Sequence, residues 1–463
     1  MLSVLAIVVS LLLLMFFAYR GYSVLLLAPL MAAVAVVLSG EGGWMLPIYT
    51  ETFMSALGNY LLKFFPVFLL GALFGQLMAD SGAAGSIAKY IMRLLGPKHA
   101  ILTIILACGL LTYGGVSLFV VAFAIFPISK MLFQEADIPK RLIPATIALG
   151  SFTFTMTALP GTPAIQNAIP IPYYGTNAFA APGLGIIGGL IMFFGGWFWL
   201  NQRAKKARAA GEGYGDHGND AVDLHDVNAQ HMPFWLAVLP LVLVIGVNAV
   251  LTYWVFPNID FAFVNEKFPD LKVASQLGLW SIIISLLVAC AVLVVTRWAH
   301  WKHLQTSVNK GVYGSMLPIF NTASEVGYGA VIATMAGFAL IRNAVLNVSP
   351  NNPLISETVA MSTLAGITGS SSGGLSIALQ ALGKDYLAMA EAHGINPELL
   401  HRVAVMAAGG FDTLPHCGAI ITLLAICGLN HRQSYLNIGM VTIVIPLVAV
   451  IAVITLGTMF GSF

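Results

Sequence analysis

Asp412, Thr413, Pro415 and His416 interrupt Gly409 to Leu429 (GGFDTLPHCGAIITLLAICGL), a run that is otherwise apolar and long enough to span a bilayer. A Pro removes a backbone N–H and opens the helix, and ionisable groups at such depth are costly unless they face a protein-lined cavity. An imidazole titrates in the working pH range, so His416 is the first candidate for a proton carrier and Asp412 for the group that orients it. The bland alternative is a hydrogen-bonded pair that merely closes the broken helix. Glu325, with Asn321 and Ser324 in another apolar span, is a second candidate for ion coupling; its alternative is a carboxyl paired within the bundle.

Three further interruptions carry hydroxyls and glycines. Thr112, Tyr113, Gly114, Gly115 and Ser117 divide His99 to Lys130, whose 32 residues would rise about 48 Å as one helix, well beyond a bilayer core. Both ends are basic, which makes this run a re-entrant hairpin turning at Gly114-Gly115. Thr157, Gly161 and Thr162 lie in the break Thr157 to Pro163, and Gly369, Ser370, Ser371, Ser372 and Gly373 form the turn of a second hairpin. Interruptions of this kind expose helix N-termini, whose free N–H groups and positive dipole ends suit an anion. No Lys or Arg falls in any of the four interruptions, so the expected ligand is a small organic anion held by neutral donors, with hydroxyls of its own as extra contacts. The competing reading is that small residues only let helices approach closely.

The elements that must position these groups follow from composition. With 58% apolar and 9% charged residues in 463, the chain belongs in a membrane, and runs of helix-spanning length exclude a β-barrel. A net charge of +2 gives no reason to expect nucleic acid, and four Cys without CxxC spacing imply neither a disulfide framework nor a metal site; no cofactor is expected. Leu2 to Phe17 has no basic n-region or cleavage site and reads as a transmembrane helix rather than a removed signal peptide. Arg20 between the first two helices places the N-terminus outside.

The chain divides into N-terminal scaffold helices (1–58), a first repeat (59–200) with hairpin 99–130 and broken helix 141–170, and a polar cytoplasmic linker (201–232). Connecting scaffold helices (233–310) and a second repeat (311–463) with hairpin 354–384 and broken helix 397–427 follow. Pro318 and Gly327 follow Pro66 and Gly75 by 252 positions, and Leu414-Pro415 follows Leu159-Pro160 by 255. An odd number of crossings separates the units, which inverts one against the other. The fold class is an all-α polytopic membrane protein with two inverted-topology repeats, each holding a re-entrant hairpin and a broken transmembrane helix, the plan of secondary transporters.

The stretches GITGSSSGGLSIAL and GGFDTLPHCGAIITLLAICGL, with the paired hairpins and breaks, resemble the gluconate:proton symporter (gluconate permease) family of the ion transporter superfamily over nearly the whole chain. Leu-Pro-His-x-Gly-Ala resembles most the branch assigned to 3-hydroxybutyrate uptake. That resemblance implies a symporter of sugar acids or hydroxy acids in the bacterial cytoplasmic (inner) membrane. The wider superfamily implies a homodimer whose scaffold holds an elevator-type transport domain. The expected function is proton-coupled import of a small hydroxy-monocarboxylate. A sodium-coupled carrier is the alternative, since hairpin-tip oxygens can hold a hard cation. An intramembrane enzyme using Asp412 and His416 is disfavoured because no nucleophile motif stands beside the pair, and a channel because the tips suit enclosing a ligand.

Overall fold

In a bilayer every backbone polar group must be satisfied within the segment that carries it, so apolar runs of this length become helices. The computed structural model describes residues 2–215, 232–301, 303–415 and 417–463, and among these the regular structure is entirely helical. Among the described residues six helices are long and apolar enough to cross a membrane, and the bent pair Leu304–Thr334 with Phe338–Leu346, turning through 99°, makes up to seven. Shorter apolar helices complete the set, among them the first arm of the first hairpin and the second half of the second broken helix.

The same series of elements occurs twice. Ser55–Asp80 and Leu304–Thr334 each contain an internal proline, Pro66 and Pro318, and they pack along one another. Each is followed by a shorter helix, Ala83–Leu95 or Phe338–Leu346, and then by a hairpin. The first hairpin has arms Ala100–Tyr113 and Leu118–Glu135; the second has arms Pro353–Thr368 and Ser371–Ala392. A broken helix comes next in both cases. The long helix Pro182–Ala209 closes the first series and packs on Ile445–Phe460, which closes the second.

Glycines fix how closely these pieces meet. A Cβ on Gly374 would lie 2.2 Å from Ala365 N, so the arms of the second hairpin touch backbone to backbone only because that side chain is missing. Contacts also run between the two series: the second arm of the first hairpin packs on Gly418–Cys427, and Phe154–Thr157 packs on Pro397–Phe411.

The broken helices differ more than their sequences led us to expect. The second is a straight half, Pro397–Phe411, a break, and Gly418–Cys427; Asn396 caps its start by accepting from Glu398 N at 2.9 Å. The first helix stops at Ser151, ahead of the expected break at Thr157, and continues as the short turns Phe154–Thr157, Ile165–Ala168 and Ile171–Tyr174. Hydroxyls account for the early stop: Ser151 Oγ donates to Ile147 O at 2.7 Å and Thr153 Oγ1 to Leu149 O at 2.6 Å. Such back-bonding to the preceding turn competes with helix continuation.

Candidate substrate site

The first hairpin turns through Gly114 to Ser117. Gly115 takes φ +99°, and a Cβ there would stand 2.7 Å from a Pro163 ring carbon, so the turn lies directly on the first break. Tyr113 reinforces this contact by donating its hydroxyl to Pro160 O at 2.7 Å. Gly114 is pressed against Leu241, Ser117 precedes the second arm beside Gly75 without a side-chain capping bond, and Thr112 keeps a buried hydroxyl with no partner among the described residues.

At the second hairpin, Gly369 adopts the left-handed conformation that ends the first arm, and Ser370 starts the second by accepting from Gly373 N at 3.0 Å. Ser371 receives a hydrogen bond from Gln166 Nε2 at 3.0 Å, and Ser372 lies 3.4 Å from Thr322 Oγ1. Gln166 belongs to the first broken helix, so this tip too reaches the first break.

The two breaks complete the meeting. Gly409 leaves room for the Thr157 methyl, which would stand 2.3 Å from a Cβ at that position. Thr157 spends its hydroxyl on Thr153 O. Gly161, at φ +80°, donates its N–H to Ala178 O at 2.8 Å, and the Thr162 hydroxyl accepts from Ala164 N. Gly366 on the second hairpin rests against Leu414 and Phe411 of the second break. All four interruptions are therefore in contact, directly or through one another.

Two carboxyls flank the second tip. Glu325 is buried, and its Oε2 has no partner among the described residues; it occupies the space a Gly373 side chain would need, only 1.6 Å from a Cβ built there. Asp412, beside Ser371, likewise has a buried Oδ1 without a partner among the described residues. A carboxyl so placed is tolerated when it holds a proton or meets a cation. His416, named with Asp412 as the first coupling candidate, lies outside the described residues, as do His217, His225 and His231.

Other expected site residues point elsewhere. Thr413 Oγ1 sits 2.8 Å from Gly410 O and 2.7 Å from Thr442 Oγ1, so its hydroxyl is committed to the widened turn Met440–Val444 rather than to the tips. Asn321 Oδ1 accepts from Leu25 N at 3.2 Å and Ser324 donates to Leu25 O, which ties that face of Leu304–Thr334 to the second helix of the chain. Residue type marked these positions as polar in an apolar run; it carried no direction.

Four residues that sequence reading passed over join the site's wall. Gln166 bridges to Ser371 while its buried Oε1 has no partner among the described residues. Asn167 donates to Thr162 O and Ala178 O and accepts from Arg402. Arg402, fully buried, donates to Ala180 O and to Thr157 O in the first break. His401 contacts Thr176 at 2.6 Å and Asn167 at 3.2 Å. The available signal was the adjacency of Gln166 to the Pro163 break and of His401-Arg402 to a capped apolar half-helix.

Outside the membrane, Arg141 and Glu212 form a two-pronged ion pair of 2.6 and 2.7 Å that ties the start of the linker to the start of the first broken helix. Hydrogen bonding from the Arg141 guanidinium holds the Glu212 carboxyl below its ordinary range, and the same bond raises Arg141.

Residues 1–459 match the family described as GntP family permease. The chain belongs to that family. This GntP-family permease is 45% identical over 462 residues to an uncharacterized transporter, YxjC, of Bacillus subtilis, covering 97% of each chain. A high-affinity gluconate transporter of Escherichia coli is 34% identical over 121 residues, covering 26% of this chain and 27% of that one. Two solved structures share the fold. The Alcanivorax borkumensis YdaH transporter, which has an unusual topology, superposes at TM-score 0.55 and 15% identity over 89% of both chains. Neisseria gonorrhoeae MtrF, from a class of antimetabolite efflux pumps, superposes at 0.57 and 10% identity over 99% of this chain and 94% of that one. As a GntP-family permease the protein is a multi-pass membrane transporter and not an enzyme, which sets aside the intramembrane acid–base reading of Asp412.

Proposed function

We propose that this permease is a secondary active transporter importing a small hydroxy-monocarboxylate, of 3-hydroxybutyrate or gluconate type, together with protons. The observation that carries the reading is the pair of carboxyls, buried Glu325 and half-buried Asp412, that flank the Ser370–Gly373 tip, each with one buried oxygen that has no partner among the described residues. Groups so placed bind and release a coupling cation as substrate contacts form and break. The tips and breaks offer Ser371, Ser372, Thr112 and backbone N–H groups to the carboxylate and hydroxyls of the acid. The match to a gluconate carrier supports a polyhydroxy or hydroxy acid, although it spans a quarter of the chain. His416, four residues after Asp412, is the proposed partner in proton transfer.

Alternating access is proposed to proceed by an elevator movement of hairpins and breaks against a scaffold of the remaining helices, in a homodimer, with the N-terminus outside the cytoplasmic membrane. Sodium coupling is the second reading, favoured by the hydroxyl-rich second tip. The test is uptake into proteoliposomes of 3-hydroxybutyrate, gluconate, lactate and citrate under imposed pH or sodium gradients. Uptake of a hydroxy-monocarboxylate driven by the pH gradient, and lost in His416→Ala, is the expected result. Uptake that follows sodium alone would replace the proton, and transport of none of the four acids would sink the substrate class.

A further inference from the structure

The sequence places no cation in the four interruptions, yet the fold carries one to them. Arg402 is fully buried on Pro397–Phe411, and every acceptor it uses is neutral: Ala180 O at 2.8 and 3.0 Å, Thr157 O at 3.2 Å and Asn167 Oδ1 at 3.2 Å. Among the described residues no carboxylate forms an ion pair with it. The acid one turn earlier on the same helix, Glu398, directs Oε2 to Ala181 N at 3.2 Å and to the Ser462 hydroxyl at 3.3 Å. Carbonyl dipoles satisfy the N–H groups of a guanidinium but leave its net charge, and a net charge in a low-dielectric interior draws a counter-charge.

The location of this charge decides what can answer it. Thr157, whose carbonyl Arg402 holds, forms the first break and packs on Gly409 beside the second. Asn167, which Arg402 also holds, follows Gln166, the residue that reaches Ser371 at the second tip. The guanidinium thus stands behind the wall where the interruptions meet, with its donors already committed. We infer that Arg402 is a positioning residue that selects anions at long range: its charge, which Glu398 answers only at a distance and no described carboxylate answers by an ion pair, favours a carboxylate over a neutral analogue without touching the ligand. This rests on the carboxylate reading above and adds to it the origin of charge selectivity.

The experiment compares binding of whichever of the four acids binds tightest with binding of its primary amide, by calorimetry on purified protein, in wild type, Arg402→Met, Arg402→Lys, Asn167→Asp and Asn167→Leu. Charge selection predicts that Arg402→Met lowers the acid-to-amide preference about tenfold or more, the acid losing more affinity than the amide. Arg402→Lys keeps the preference. Asn167→Asp, which sets a carboxylate against the guanidinium but gives up the Asn167 donors to Thr162 O and Ala178 O, loses preference as Arg402→Met does, whereas Asn167→Leu, which gives up the same donors without adding charge, keeps it; this pair carries the test if the Met variant does not fold. Equal loss of acid and amide in Arg402→Met, or an unchanged preference in Asn167→Asp, overturns the inference and leaves Arg402 a purely structural clamp. Wild-type protein that binds none of the four acids would fail the carboxylate reading itself, an outcome distinct from both.

Discussion

Adding one methyl group at Gly373 separates coupling from folding. The new Cβ would stand 1.6 Å from Glu325 Oε2 and 2.5 Å from its Cδ, whereas non-bonded carbon contacts settle near 3.5 to 4 Å, so the carboxyl must retreat by about 2 Å. What yields is the far end of a flexible side chain. The expected cost to the fold is therefore a changed rotamer, about 1 kcal/mol, and a fall in Tm of no more than a few degrees. Gly374→Ala is the control, because its Cβ would meet Ala365 N at 2.2 Å and Ala365 Cα at 2.3 Å, backbone atoms that cannot step aside. It should destabilise by about 3 kcal/mol or prevent the hairpin from closing. The assay is pH-gradient-driven uptake in proteoliposomes, read beside thermal unfolding of the same preparations, with Glu325→Gln for comparison. Gly373→Ala should unfold nearly as wild type does while its gradient-driven uptake falls to the level of Glu325→Gln. Wild-type uptake in Gly373→Ala, with the same dependence on the gradient, would show that the position of the Glu325 carboxyl is immaterial and remove it from the coupling mechanism.

Gln166→Leu removes the bond to Ser371 and leaves the tip held by Thr322; substrate affinity should fall about tenfold, measured by calorimetry, and an unchanged affinity would place the binding surface elsewhere. Thr413→Val should lower stability by about 1 to 2 kcal/mol with little effect on affinity, since its hydroxyl serves Gly410 O and Thr442; a change in affinity without a change in Tm would contradict that placement. For the Arg141–Glu212 pair the folded carboxylate is depressed, so its stabilisation is present above the ordinary Glu range near 4.5 and fades as pH falls through the lower folded value. Because both side chains are partly solvent-exposed, Glu212→Gln should cost about 0.5 kcal/mol at pH 7 and progressively less as the pH falls below the ordinary Glu range; a cost that does not change with pH would mean the pair is not ionic in effect.

Much of the architecture could be read from residue types. Gly114-Gly115 and Gly369 to Gly374 announced turns inside runs too long for one straight helix, and Leu159-Pro160 with Leu414-Pro415 marked the paired breaks. Those signals are local, and the backbone obeys them locally. What escaped depends on partners far away in sequence: Gln166 meets Ser371 205 positions later, and Arg402 reaches back 245 positions to Thr157. A single polar residue in an apolar helix looks the same whether it faces lipid, a carbonyl or a ligand. Direction misled in the other sense at Thr413 and Asn321, whose side chains turn to Thr442 and Leu25. The early end of the first broken helix came from hydroxyls at Ser151 and Thr153 bonding their own preceding turn, a choice that residue identity permits but does not dictate.

The absent side chain at Gly374 also limits how the molecule can open. Arms that touch backbone to backbone leave no slack between them, so under the proposed elevator movement the second hairpin would travel as a single rigid wedge rather than part like scissors. Two side-chain contacts at its tip, Gln166 to Ser371 at 3.0 Å and Thr322 to Ser372 at 3.4 Å, form a latch on that wedge. Releasing both would cost about 2 kcal/mol, within what the proposed binding and departure of a single ligand can supply.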